Sequence, residues 1–137
     1  VSAMPLHLME HPEDVSVVRL PSGEVPAFDW TTGPLASLTR TADETSVVCA
    51  SASVPAGSRT EGPFRAVEVA GPLDFSAVGV FADILAPLVD AQISVLGIST
   101  FDTDWVLVPS DRTQDASAAW RRAGFVVTPS SLSGRLR

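Results

Sequence analysis

"GISTFDTDWVLV", residues 97–108, decides how the chain folds. An apolar run enters this stretch and another leaves it. Between them stand Ser99, Thr100, Phe101, Asp102, Thr103 and Asp104: two carboxylates and three hydroxyls beside one aromatic ring. Short polar side chains of this kind bond nearby backbone groups in tight turns. "DWVLV" has the length and β-branched character of a buried strand. The stretch therefore reads as strand, turn, strand, with "AQISVLGIST" (91–100) leading in.

Working outward, "FRAVEV" (64–69) alternates and predicts a strand, and "GPLD" a turn after it. Ser76 is placed to cap a helix over 77–90. Ser110 and Asp111 can cap a second helix, "RTQDASAAWRR", with Ala116, Ala119, Trp120 and Ala123 on its apolar face. Gly124 stops that helix, and "FVVT" (125–128) predicts a last strand. The order is β-α-β-β-α-β, an α+β fold of ferredoxin-like type.

The upstream half is less regular. "LHLMEH", "VSVVRL", "ASLTR" and "TSVVCAS" read as strands, and the proline- and glycine-rich "LPSGEVPAFDWTTGP" as a loop. This half is too short for a second complete unit. It is expected to form a reduced copy over 1–56 or to lay its strands on the downstream sheet. "VPAGSRTEGP" (54–63) reads as a linker, the main domain spans 62–128, and 129–137 forms a loose tail. "SLTRTADETSVVC" faintly repeats the pattern of "GISTFDTDWVLV", which favours the reduced copy.

With 45% apolar and 18% charged residues, the 137-residue chain can bury a core. A net charge of −7 disfavours nucleic acid and anionic membranes as partners. The longest apolar run, from Ile84, is broken by Pro87, Asp90 and Gln92, so no membrane span is expected. No signal peptide is visible, and the reading is a soluble, cytoplasmic protein. A single cysteine, Cys49, allows no intrachain disulfide and reads as a core residue. His7 and His11 find no third ligand in the pattern, so neither a metal nor a cofactor is expected.

The first helix carries only Asp83 and Asp90 as charges, seven residues apart on one face. Its remainder is apolar all round, so a second surface is expected to cover it, most simply another copy of the chain. Pro87 also withholds a donor from the carbonyl of Asp83.

Two features could together hold a small zwitterion. The turn "GPLDFSAVG", with Asp74, Phe75, Ser76 and Gly79, leads into a helix whose free N–H groups favour a carboxylate. Thr100, Thr103 and Asp104 offer oxygens to an ammonium group. Asp102 and Thr103 read equally well as plain turn residues, and Ser76 as a plain cap.

These same residues carry a family resemblance. "GPLDFSAVGVFADILAPLVDAQISVLGISTFDTDWVLVP" resembles the ACT domains of the CASTOR-type cytosolic arginine sensors and their small bacterial relatives, and through them the regulatory ACT domains of aspartokinases. "LHLMEH", "SLTRT" and "VVC" resemble the reduced first module of that family, so the likeness covers about residues 5–127. It implies a non-catalytic regulatory protein that binds a free amino acid between two ACT units. Carried over by position, the first-turn residues are Asp74, Phe75 and Gly79. The strand-motif residues are Thr100, Phe101, Thr103 and Asp104, and the facing-helix residues are Asp83 and Ile84. Ala77 and Thr103 depart from the sensors' pattern, so arginine itself is not implied. The chain matches one half of such a sensor, and a homodimer is expected to rebuild the site. The alternatives are a structural dimerisation module without ligand, and a small hydrolase using Asp102 and Asp104.

Overall fold

The computed structural model describes residues 6–70 and 79–130. One sheet of seven strands carries two helices. The strands are β1 (His7–Pro21), β2 (Ser37–Arg40), β3 (Glu44–Ala50), β4 (Arg59–Val69), β5 (Leu96–Ser99), β6 (Asp104–Pro109) and β7 (Val126–Pro129). Helix α1 is Val80–Asp90 and α2 is Thr113–Arg122.

β4-α1-β5-β6-α2-β7 is the expected β-α-β-β-α-β run, and the mixed fold is of the expected ferredoxin-like type. The upstream strands join the same sheet, in the order β2-β3-β1-β4-β6-β5. β1 runs antiparallel to β4 along nearly its whole length, and β7 lies parallel to the start of β1. The first strand of the chain is thus inserted between the first and last strands of the downstream unit.

"LHLMEH" and "VSVVRL" are one strand, not two. Glu10 pairs with Val67 and Asp14 with Arg65, so "HPE" stands opposite a single residue of β4. This bulge absorbs Pro12, which cannot donate to a ladder. The expected linker is corrected in the same way. β4 already begins at Arg59, and the ladder slips again between Val15 and Val17, where Gly62 and Pro63 sit in the facing strand. Both prolines are housed at irregularities instead of ending their strands.

The alternation along the strands sorts the core onto two faces. Val67, Val69, Val106 and Val108 pack with Leu8, Ile84, Leu88 and Trp120 beneath the helices. Ala66, Trp105, Leu107, Val15 and Val48 lie on the opposite face, with Leu35 over them. Phe28 and Trp30, from the irregular segment between β1 and β2, cover Val18, Val47 and Cys49. In the upstream half, that loop does the covering work a helix does downstream.

The helix starts differ from expectation. α1 begins at Val80, after Gly79 in a left-handed conformation (φ 80°), and has no side-chain cap. Ser76 lies outside the described residues. Ser110 and Asp111 form a single 3-10 turn ahead of α2, and neither caps it by a side-chain bond. Instead, the Ser110 hydroxyl donates to Asp14 Oδ1 at 2.7 Å, fastening this turn to β1.

Candidate functional site

The β5–β6 hairpin is closed by the polar residues that interrupt its sequence. The Thr100 N–H donates to the Thr103 carbonyl at 2.8 Å, and the Thr103 N–H donates to Thr100 Oγ1 at 3.0 Å. The two threonine hydroxyls bond each other, and Trp105 Nε1 donates to Thr103 Oγ1 at 2.9 Å. Ser99 donates to Asp104 Oδ1 at 2.5 Å. The second oxygen of Asp104 receives no donor from the described residues. At the tip, Phe101 is 80% exposed and Asp102 is exposed beside it.

The start of α1 lies over this hairpin. A Cβ on Gly97 would come within 2.3 Å of the Phe81 ring, so the ring occupies the space above β5. Phe81 is in the first turn of α1, and Gly97 is three residues before Thr100. The left-handed Gly79 immediately precedes the helix, with open space where a side chain would stand. The first turn of α1 thus lies over β5, the strand that leads into Thr100, Thr103 and Asp104. Asp74, Phe75 and Ser76 lie outside the described residues.

The facing-helix residues separate. Asp83 is exposed, whereas Ile84 is fully buried with its side chain in the core. The Ile84 side chain packs in the core, because its face of α1 lies on the sheet. Its carbonyl accepts Trp120 Nε1 at 2.8 Å, which ties α2 to α1. The Asp83 carbonyl, from which Pro87 withholds a donor, belongs to an exposed residue.

The all-round apolar helix also resolves into two sides. Phe81, Ile84, Leu85 and Leu88 belong to or pack against the core. The outer side presents Ala82, Asp83, Ala86, Val89 and Asp90. Val89 is 64% exposed. Beside it, a cleft of about 620 Å³ opens between the two helices, lined by Asp83, Pro87 and Asp90 from α1, Ala119 and Arg122 from α2, and Phe125. Arg122 forms no ion pair or hydrogen bond with the described residues.

One buried polar cluster was not singled out in the sequence. His11 is fully buried, stacks on Trp105 at 5.1 Å between ring centroids, and bonds Glu68 through Nε2 at 3.1 Å. His7 is engaged separately, with Thr128 at 2.7 Å. An apolar alternation broken by Glu68 within "FRAVEV" was the available signal for a buried polar partner. Among the described residues no helix is long and apolar enough to cross a membrane.

Residues 59–122 match the family model of the ACT domain. The matched stretch opens with the first residue of β4 and closes with the last of α2. Solved structures extend the likeness over the upstream strands. A protein from Agrobacterium tumefaciens is 29% identical over 93% of this chain and 96% of its own, with a TM-score of 0.83. A Vibrio cholerae protein of unknown function, described as a possible transport protein, is 17% identical over 87% of this chain and 90% of its own, with a TM-score of 0.71. The regulatory subunit of aspartate kinase from Thermus thermophilus is 10% identical over 82% of this chain and 93% of its own, at a TM-score of 0.55. No curated protein matches the chain. The stretch that matches the ACT model thus runs from β4 to α2, and β1 pairs with β4 inside the same sheet.

Proposed function

We propose that the protein is a non-catalytic regulatory ACT module that binds a free amino acid at a homodimer interface. The observation that supports this reading is the Phe81–Gly97 contact, which sets the first turn of α1 over β5, the strand that leads into Thr100–Asp104. Free amides at a helix start attract a carboxylate, and the open oxygen of Asp104 attracts an ammonium group. On this reading Gly79 borders one side of the ligand and Thr100, Phe101, Thr103 and Asp104 the other, while Asp74, Phe75 and Ser76 are ligand residues expected from the sequence alone. Asp83 reaches in from the facing helix of the second copy. The likeness to an aspartate kinase regulatory subunit supports a regulatory role.

The outer face of α1 supports the dimer. It offers small apolar residues between Asp83 and Asp90, with Arg122, which has no ion pair with a described residue, across the cleft. In a two-fold pair, the acids of one copy meet the arginine of the other, which is the self-complementarity such an interface needs.

A second reading, a dimerisation module without ligand, is favoured by the hairpin's own economy. Thr100 and Thr103 already satisfy each other, so the turn needs no ligand to hold it. A thermal-shift screen with the twenty amino acids separates the two. Binding predicts an upward shift with one or two of them, worth about 2.7 kcal/mol at a hundredfold excess over Kd. The shift is lost in Asp104→Asn, which keeps an acceptor for Ser99. A flat screen with an intact dimer sinks the sensor reading. The hydrolase alternative gains no support: Asp104 is held by Ser99, and Asp102 has no bonded partner among the described residues.

A further inference from the structure

The sheet face away from the helices carries a second concave region. Two clefts meet there and share Val17 and Ser46. The first, of about 360 Å³, runs between two walls of the curled sheet: Ser37, Thr39 and Val48 on one side, Leu96, Ile98 and Leu107 on the other. Its floor is apolar and recessed, with Leu107 fully buried and Val48 7% exposed, while Leu96 stands at the rim at 44%. The second, of about 220 Å³, continues it to a charged mouth made by Arg19, Arg59, Glu44 and Glu61.

The arrangement at the mouth points to an anion. Arg19 and Arg59 are directly opposite each other across the β1–β4 ladder. Like charges in that position repel. Arg19 meets Glu44 at 3.5 Å, with both side chains about two-fifths exposed, a weak pair in water. Arg59 has no hydrogen bond or ion pair with any described residue. A single negative charge between the two guanidiniums would relieve their repulsion. The nearby Glu44 and Glu61 would resist a doubly charged group. The apolar trough behind asks for an aliphatic chain.

We propose that this trough binds an aliphatic monocarboxylate, its head held by Arg19 and Arg59 and its chain laid over Val17, Val48, Ile98 and Leu107. The site is on the opposite face of the sheet from α1 and is independent of the amino-acid reading.

Calorimetric titration of the full chain with octanoate, octylamine and leucine tests it. Octanoate is expected to bind saturably, with octylamine and leucine at least about tenfold weaker, the loss that follows from removing one charge-assisted contact. Arg59→Gln and Leu96→Ser, both at exposed positions, should each weaken octanoate and leave the urea midpoint unchanged. Should one of them fail to fold, Arg19→Gln reads the same contact. Asp104→Asn should leave octanoate binding intact, which separates this site from the hairpin. Equal binding of octylamine, undiminished binding by Arg59→Gln, or no saturable binding of octanoate overturns the proposal. A dimer dissolved by Leu96→Asp, with no octanoate bound, also overturns it and makes the trough an interface between copies.

Discussion

At position 97 the chain has no side chain because Phe81 fills the space. A Cβ there would stand 2.3 and 2.6 Å from two ring atoms, far inside van der Waals contact. The ring must swing away or the helix must lift. Gly97→Ala should therefore cost roughly 1–3 kcal/mol in urea denaturation, the usual range for overpacking. Phe81→Leu in the same chain should recover part of that loss. If Gly97→Ala alone is neutral, the helix does not rest on β5 as described. Asp14 belongs to the same scale. The Ser110 hydroxyl holds its carboxyl below the usual carboxylate range, with help from Arg65 and against partial desolvation. A native pKa below the unfolded one gives stability above the unfolded value. That stability is lost as pH falls through the native value. Asp14→Asn should be less stable than the parent near neutrality, and the gap should close below about pH 4. A gap that stays constant with pH would remove the carboxylate from the account.

Among the elements, the β5–β6 hairpin and α1 carry most of the functional argument. Thr103 accepts the Trp105 indole N–H, and that indole is 5% exposed. Thr103→Val keeps the shape and strands the donor, so a loss of about 1–3 kcal/mol is expected from denaturation followed by tryptophan fluorescence. An unchanged midpoint would mean that water replaces the hydroxyl there. The downstream elements were legible because each has a clean local signature. "DWVLV" is a continuous apolar run, and Ala116, Ala119 and Trp120 repeat at helical spacing. The upstream strand was misread for an equally local reason. Pro12, Glu13 and Asp14 carry turn chemistry, yet the ladder with β4 takes Pro12 and Glu13 into a bulge and pairs Asp14 with Arg65. Propensity sees the proline, and only the partner strand decides between bulge and break. The late start of α1 has a similar origin. Ser76 is a good cap by type, but the helix is opened by the left-handed Gly79.

Across the whole molecule, one sheet joins both halves, and this was the least legible feature. Whether β7 pairs with β4 or with β1 is a choice between distant partners, and no short stretch records it. The insertion of β1 follows from its length: its first part lies between β4 and β7, its later part between β4 and β3. The residue types of the candidate site were legible in the sequence, but not their burial. Thr100, Thr103 and Asp104 do meet on one hairpin, but Ile84 turned inward because α1 needs that face for the core. Assembly is tested at this scale. In the proposed two-fold pair a carboxylate in the apolar stripe of α1 would face its own symmetry mate, so Val89→Asp should shift the sedimenting species from dimer to monomer without loss of helical signal. A wild-type chain that sediments as a monomer at all concentrations would end the two-copy site.

The most direct measurement is a backbone-amide NMR titration of the intact protein with the amino acid that raises its melting temperature most. The account predicts that Gly79, Thr100, Thr103 and Asp104 shift together and saturate at one ligand concentration. Shifts confined to other parts of the sheet, or none at those four amides at saturating ligand, would contradict it.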